Sequence, residues 1–91
     1  MQEFKPAGQA VSELDAWLMQ VVNTIQGEVP EDKVNLIKRM FRDECLYKLE
    51  DINEIADCLT KDSLKLKGVP IGFAKAIDIA VHQLKLDFKK N

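Results

Sequence analysis

The chain has little of what enzyme chemistry usually requires. His82 is its one histidine, and Cys45 and Cys58 are its two cysteines, neither in a C-x-x-C arrangement. That leaves no histidine-based metal cluster, no thiolate set for structural zinc and no general base with a partner. A phosphate-cradling Gly-x-x-x-x-Gly-Lys run is missing too. Acidic side chains are plentiful, but they lie on surfaces patterned for solvent rather than among apolar neighbours that would raise a carboxyl pKa for acid catalysis. The sequence therefore predicts no enzyme, no metal and no cofactor.

Other scarcities bear on location. Two cysteines are fewer than a small secreted domain stapled by disulfides would carry, so a reducing, intracellular and cytoplasmic setting is expected. Both thiols are read as reduced, half-buried structural groups. The apolar stretch at Ile77–Val81 is broken by Asp78 and followed by His82, well short of the ~20 apolar residues that cross a bilayer. No membrane partner is expected. The segment Met1–Pro6 has neither the basic start nor the apolar stretch of a secretory signal, and Gln2 excludes N-myristoylation.

What is present reads as helix. The chain has 91 residues, 46% hydrophobic and 31% charged, enough for one hydrophobic core and too few for two. Residues 1–11 contain Pro6 and Gly8 and little apolar content, and are read as a flexible N-terminal arm. The helical domain then occupies residues 12–91. Ser12 is a helix cap, after which Leu14, Trp17, Leu18, Val21, Val22 and Ile25 fall at steps of three and four and make one apolar face. Gly27 is read as the stop, and Pro30-Glu31-Asp32 as the next start.

The second helix is predicted over 30–44, with Val34, Ile37, Met40 and Phe41 on its apolar face. A third, short helix places Leu49, Ile52, Ile55, Ala56 and Leu59 inward and Glu50, Asp51, Glu54 and Asp57 outward. Thr60 caps a fourth over 61–67, which buries Leu64 and Leu66 and ends at Gly68. Pro70 opens the last and longest helix, whose stripe is Phe73, Ala74, Ile77, Ala80, Val81, Leu84 and Phe88. No segment alternates as a strand does. Five helices of unequal length are expected, with the short ones held by packing because isolated helices under about 12 residues are marginal in water.

Net charge is only −2, but its distribution is uneven. Residues 28–57 carry nine acids against five bases, whereas residues 58–91 carry three acids against seven bases. The middle is acidic and the end is basic, which favours complementary contacts.

Several residues in this order carry a family likeness. Trp17-Leu18 in the first helix, Phe41 in the second, Leu49-Glu50-Asp51-Ile52 in the third and Thr60 through Val69 resemble the sterile alpha motif (SAM) domain, whose signature includes Leu-Thr-x-x-x-Leu-x-x-x-Gly-Ile. Pro70 through Ile77 is similar to the start of that family's long last helix, and the resemblance spans roughly Ser12 to Leu86. It implies an all-α, five-helix bundle with a long C-terminal helix, used as a protein-interaction and oligomerisation module in signalling scaffolds. It also implies head-to-tail association, an acidic mid-domain surface on one copy meeting the N-terminal end of the last helix on another.

On this chain the acidic surface is assigned to Asp43, Glu44, Glu50, Asp51, Glu54 and Asp57. The end-helix surface is assigned to Lys61, Lys65, Lys67, Gly68, Val69, Pro70, Ile71, Gly72, Phe73 and Lys75. The expected partner is another SAM-like or other protein domain, a second copy included. The alternative is an RNA hairpin held by Lys61, Lys65, Lys67, Lys75, Lys85, Lys89 and Lys90. Overall negative charge, the absence of arginine after Arg42 and the lack of aromatics among the lysines weigh against it.

Overall fold

The computed structural model describes residues 12–89. The expectation of a flexible arm over residues 1–11 lies outside the described residues, as does Lys90 of the RNA reading. Four α-helices, α1 (Glu13–Thr24), α2 (Glu31–Asp43), α3 (Lys61–Leu66) and α4 (Ile71–Lys89), enclose two consecutive 3-10 turns, Leu49–Glu54 and Ala56–Leu59. The all-α, five-part bundle with the longest helix last is therefore observed, and no strand occurs among the described residues.

Local chemistry sets most of the boundaries. Ser12 is extended and its Oγ accepts from the Asp15 N–H at 3.1 Å, which starts α1 as predicted. The helix ends at Thr24, three residues before Gly27. There the Thr24 hydroxyl donates to the Val21 carbonyl at 2.7 Å and the Ile25 N–H to that of Val22 at 3.1 Å. Gly27 does not adopt the left-handed conformation, so it is not the stop. Pro30 is the extended residue before α2 rather than its first helical residue, and its carbonyl accepts from Lys33 and Val34.

Two helices end in the same lock. At the end of α3, Gly68 has φ 84° while Gly68 N–H donates to the Lys65 carbonyl and Val69 N–H to that of Leu64, each at 3.0 Å. At the end of α2 the pattern repeats with Cys45 at φ 59°, its N–H on Arg42 at 3.0 Å and the Leu46 N–H on Phe41 at 2.9 Å. In each case the next residue, Val69 or Leu46, is buried against the core and holds the turn. Cys45 and Cys58 are both exposed, which corrects the half-buried reading: one serves a tight turn and the other sits at the edge of a short one.

The third helix is 3-10 rather than α. Leu49, Ile52 and Ile55 recur every three residues, the period at which 3-10 side chains eclipse, and Ala56 and Leu59 repeat it in the second turn. Ile52, Ile55, Ala56 and Leu59 are thereby buried. Two acids bind this region to its surroundings. Glu13 Oε1 accepts the Leu49 N–H at 3.0 Å, and Asp51 Oδ2 accepts those of Tyr47 and Lys48 at 3.0 and 2.9 Å. The Leu14 N–H, left free at the start of α1, donates to the Tyr47 carbonyl at 3.0 Å.

The short α3 is secured from outside. Thr60 Oγ1 accepts the Ser63 N–H at 3.2 Å, and Asp78 of α4 reaches across to accept the Lys61 N–H at 2.8 Å. Leu64 is fully buried, but Leu66 is 90% exposed, which corrects its assignment to the core: two residues on, it points away from the face that α3 turns inward. One apolar cluster joins all the elements, centred on Leu14, Leu18, Ile37, Phe41, Phe73 and Ile77. Among the described residues no polar or charged side chain is buried in it.

Candidate interaction surfaces

The acidic residues of the middle region do not form one sheet of charge. Met40, Asp43 and Glu44 project together from the end of α2 because they stand three and four residues apart. They meet Glu54, Ile55 and Cys58 of the 3-10 turns around a hollow of about 350 Å³. Three of the six assigned acids, Asp43, Glu44 and Glu54, thus rim a shared pocket with Met40 and Ile55 beneath them. Glu50 and Asp57 are exposed but do not line it. Sequence reasoning missed Met40, Ile55 and Cys58 as part of this site, although the spacing of Met40 to Asp43 and Glu44 places them side by side.

Asp51 has a different task. Hydrogen bonds from the Lys48 and then the Tyr47 backbone N–H hold its carboxyl below the ordinary value of 3.8. One carboxylate oxygen is committed to closing the turn before the first 3-10 segment, so Asp51 is a turn residue rather than a free member of the acidic surface.

On the basic side, Lys65, Lys67 and Lys75 are exposed and Lys61 is half-buried. Lys61 and Lys75 line one hollow of about 270 Å³ with Asp78 and Ile79. Lys65 and Lys67 stand at the end of α3. Gly68, Ile71 and Gly72 are exposed and Pro70 is half-buried. Val69 and Phe73 are removed from the surface: they are 3% and 0% exposed and belong to the core. The apolar stripe of α4 begins at Phe73 and the turn after α3 pins Val69 inward, so neither can touch a partner. In their place the structure offers Leu66, 90% exposed, beside the already assigned Ile71, 50% exposed, among the lysines. Gly68 adds a constraint, because a Cβ there would lie 3.0 Å from Lys33 Nζ, which donates to the Lys67 carbonyl at 3.3 Å.

His82 is exposed, with Nδ1 2.9 Å from both the Asp78 carboxylate and the Asp78 carbonyl. Among the described residues no group of three or more His, Cys, Asp or Glu is placed to hold a metal ion, and no helix is long and apolar enough to cross a membrane. A third hollow, about 510 Å³, runs between α1 and α4 beside Trp17, and no sequence pattern announced it. Comparison with protein families, with curated proteins and with solved structures gives no match.

Proposed function

We propose that this chain is a SAM-like protein-binding module that pairs through two unlike surfaces, the acid-rimmed pocket and the lysine-bearing end of α3 with the start of α4. The observation that carries this reading is the pocket formed by Asp43, Glu44 and Glu54 over Met40 and Ile55. Its chemistry suits a lysine side chain, whose methylene stem rests on apolar floor while its ammonium meets the carboxylates. The other surface has such side chains in Lys65 and Lys67, with Leu66 and Ile71 beside them to supply apolar contact. Each surface fits the other rather than itself, so the contact is heterologous and extends into chains as readily as it forms pairs. Lysines flanked by aliphatic rather than aromatic side chains suit a protein partner better than an RNA loop, whose bases stack on rings.

The test uses two variants of the full chain. Glu54→Lys spoils the pocket and Lys67→Glu spoils the basic end, so neither forms the contact alone. Mixed in equal amounts, each still offers one intact surface, and fluorescence anisotropy should show a one-to-one complex that weakens as salt is raised. A mixture that pairs no better than either variant by itself would sink the assignment.

A further inference from the structure

Lys75, Ile79, Gln83 and Asp87 follow one another at intervals of four along α4 and form a single ridge on its outer side. Three observations place them there together. Lys75 and Ile79 line one hollow, Ile79 and Gln83 line the groove against α1, and the Gln83 side-chain amide donates to the Asp87 carboxylate at 3.2 Å. Ile79 is 67% exposed and Leu86, one position from Asp87, is 52% exposed. The groove beside the ridge is floored by Ala76, Ala80 and Val21 and walled by Trp17. Exposed and half-buried apolar side chains are thus gathered in one strip that no other described residue covers.

Read along its length, the ridge runs from cation through an aliphatic and a neutral amide to an anion. Such a row is complementary to itself when reversed. In an antiparallel copy Lys75 comes opposite Asp87 and Ile79 opposite the stem of Gln83, while Ala76 and Ala80 on one flank of the ridge meet the same flank of the partner. The same pairs recur across the axis, and the two helix dipoles oppose. Ridges of this four-residue kind from two like helices interdigitate at a crossing angle of about −50°, which keeps the rows alongside one another. Small side chains at Ala76 and Ala80 permit close approach.

We propose that a second copy of this chain docks on the α1/α4 face, giving a closed two-fold dimer. It is independent of the pairing proposed above: that contact is heterologous and open-ended, while this one uses the same patch on both partners and stops at two. The two surfaces have Lys75 in common, together with Ile79 where it lines the hollow beside Lys61 and Lys75.

Sedimentation velocity of the full chain carrying Glu54→Lys, which removes the open-ended contact, tests it from about 10 to about 500 µM. The mass should rise to twice that of the monomer and no further. Adding Ile79→Arg should leave a monomer throughout, with helicity unchanged because Ile79 is a surface residue. Asp87→Lys should weaken the dimer about tenfold, and the exchange Lys75→Asp with Asp87→Lys should restore most of it. A monomer at the highest concentration, a dimer indifferent to Ile79→Arg, or a charge exchange that fails to restore would each overturn the proposal. The complex between the Glu54→Lys and Lys67→Glu chains should survive Asp87→Lys in both, because Asp87 does not line the hollow of the lysine surface, so failure of one pairing is distinguishable from failure of the other.

Discussion

Cys45 occupies a backbone conformation that costs an L-residue about 1–2 kcal/mol and that glycine adopts freely. It does so because the α2 lock needs a left-handed residue between Glu44 and the buried Leu46. Gly68 holds the equivalent place after α3, and there the sequence announces it. Nothing in a cysteine advertises the same geometry, so the second lock was illegible until the backbone was seen. Cys45→Gly should raise the free energy of unfolding by about 1 kcal/mol, since the relief of strain exceeds the added freedom of the unfolded chain. Urea denaturation decides this, and a lower midpoint would show that the thiol contributes something the turn does not require. The same residue-scale logic separates the assigned contacts. Val69 and Phe73 belong to the core, while Leu66 and Ile71 are what the surface presents.

At the scale of elements, helices with a mixed three- and four-residue apolar rhythm were legible, and the middle of the chain was not. A spacing of three, such as Leu49–Ile52–Ile55, fits a turn of α-helix almost as well as a 3-10 turn. What pins the start of the segment is a set of side-chain bonds: Glu13 of α1 accepts from Leu49, and Asp51 within the segment accepts from Tyr47 and Lys48. Those bonds give the region a defined pH response. The Asp51 carboxyl titrates lower in the folded chain than in the unfolded one. Its contribution to stability is therefore complete above the ordinary value of 3.8 and is lost as pH falls through the lower folded value. Urea midpoints between pH 6 and pH 2 should fall more steeply below about pH 4 in the wild type than in Asp51→Asn. Parallel curves would show that the carboxylate charge is not what the turn uses. The acidic pocket was half legible for a related reason: Asp43 and Glu44 lie on a predicted helix, but their meeting with Glu54 depends on how the 3-10 turns fold back.

For the whole molecule, one apolar cluster runs through every element, so unfolding should be cooperative. Leu18→Ala, at a fully buried position on α1, should cost about 2–5 kcal/mol and lower the thermal midpoint of the entire helical signal in one step. Two separate transitions, by circular dichroism and by Trp17 fluorescence, would contradict a single core. Number of helices, their order and the length of the last were all readable from the sequence, because a bundle of this size has few ways to bury such stripes. Which surfaces stay open was not, since a residue's neighbours across the bundle are set by tertiary packing.

That interior, free of buried polar groups among the described residues, has a bearing on descent. With no buried polar or charged side chain to preserve among the described residues, one aliphatic side chain can replace another wherever total volume is kept. Lineages sharing such a scaffold can diverge at nearly every core position and still fold alike. Their kinship would then persist in the rhythm of apolar spacing and in the locks at the helix ends long after residue identities had been erased.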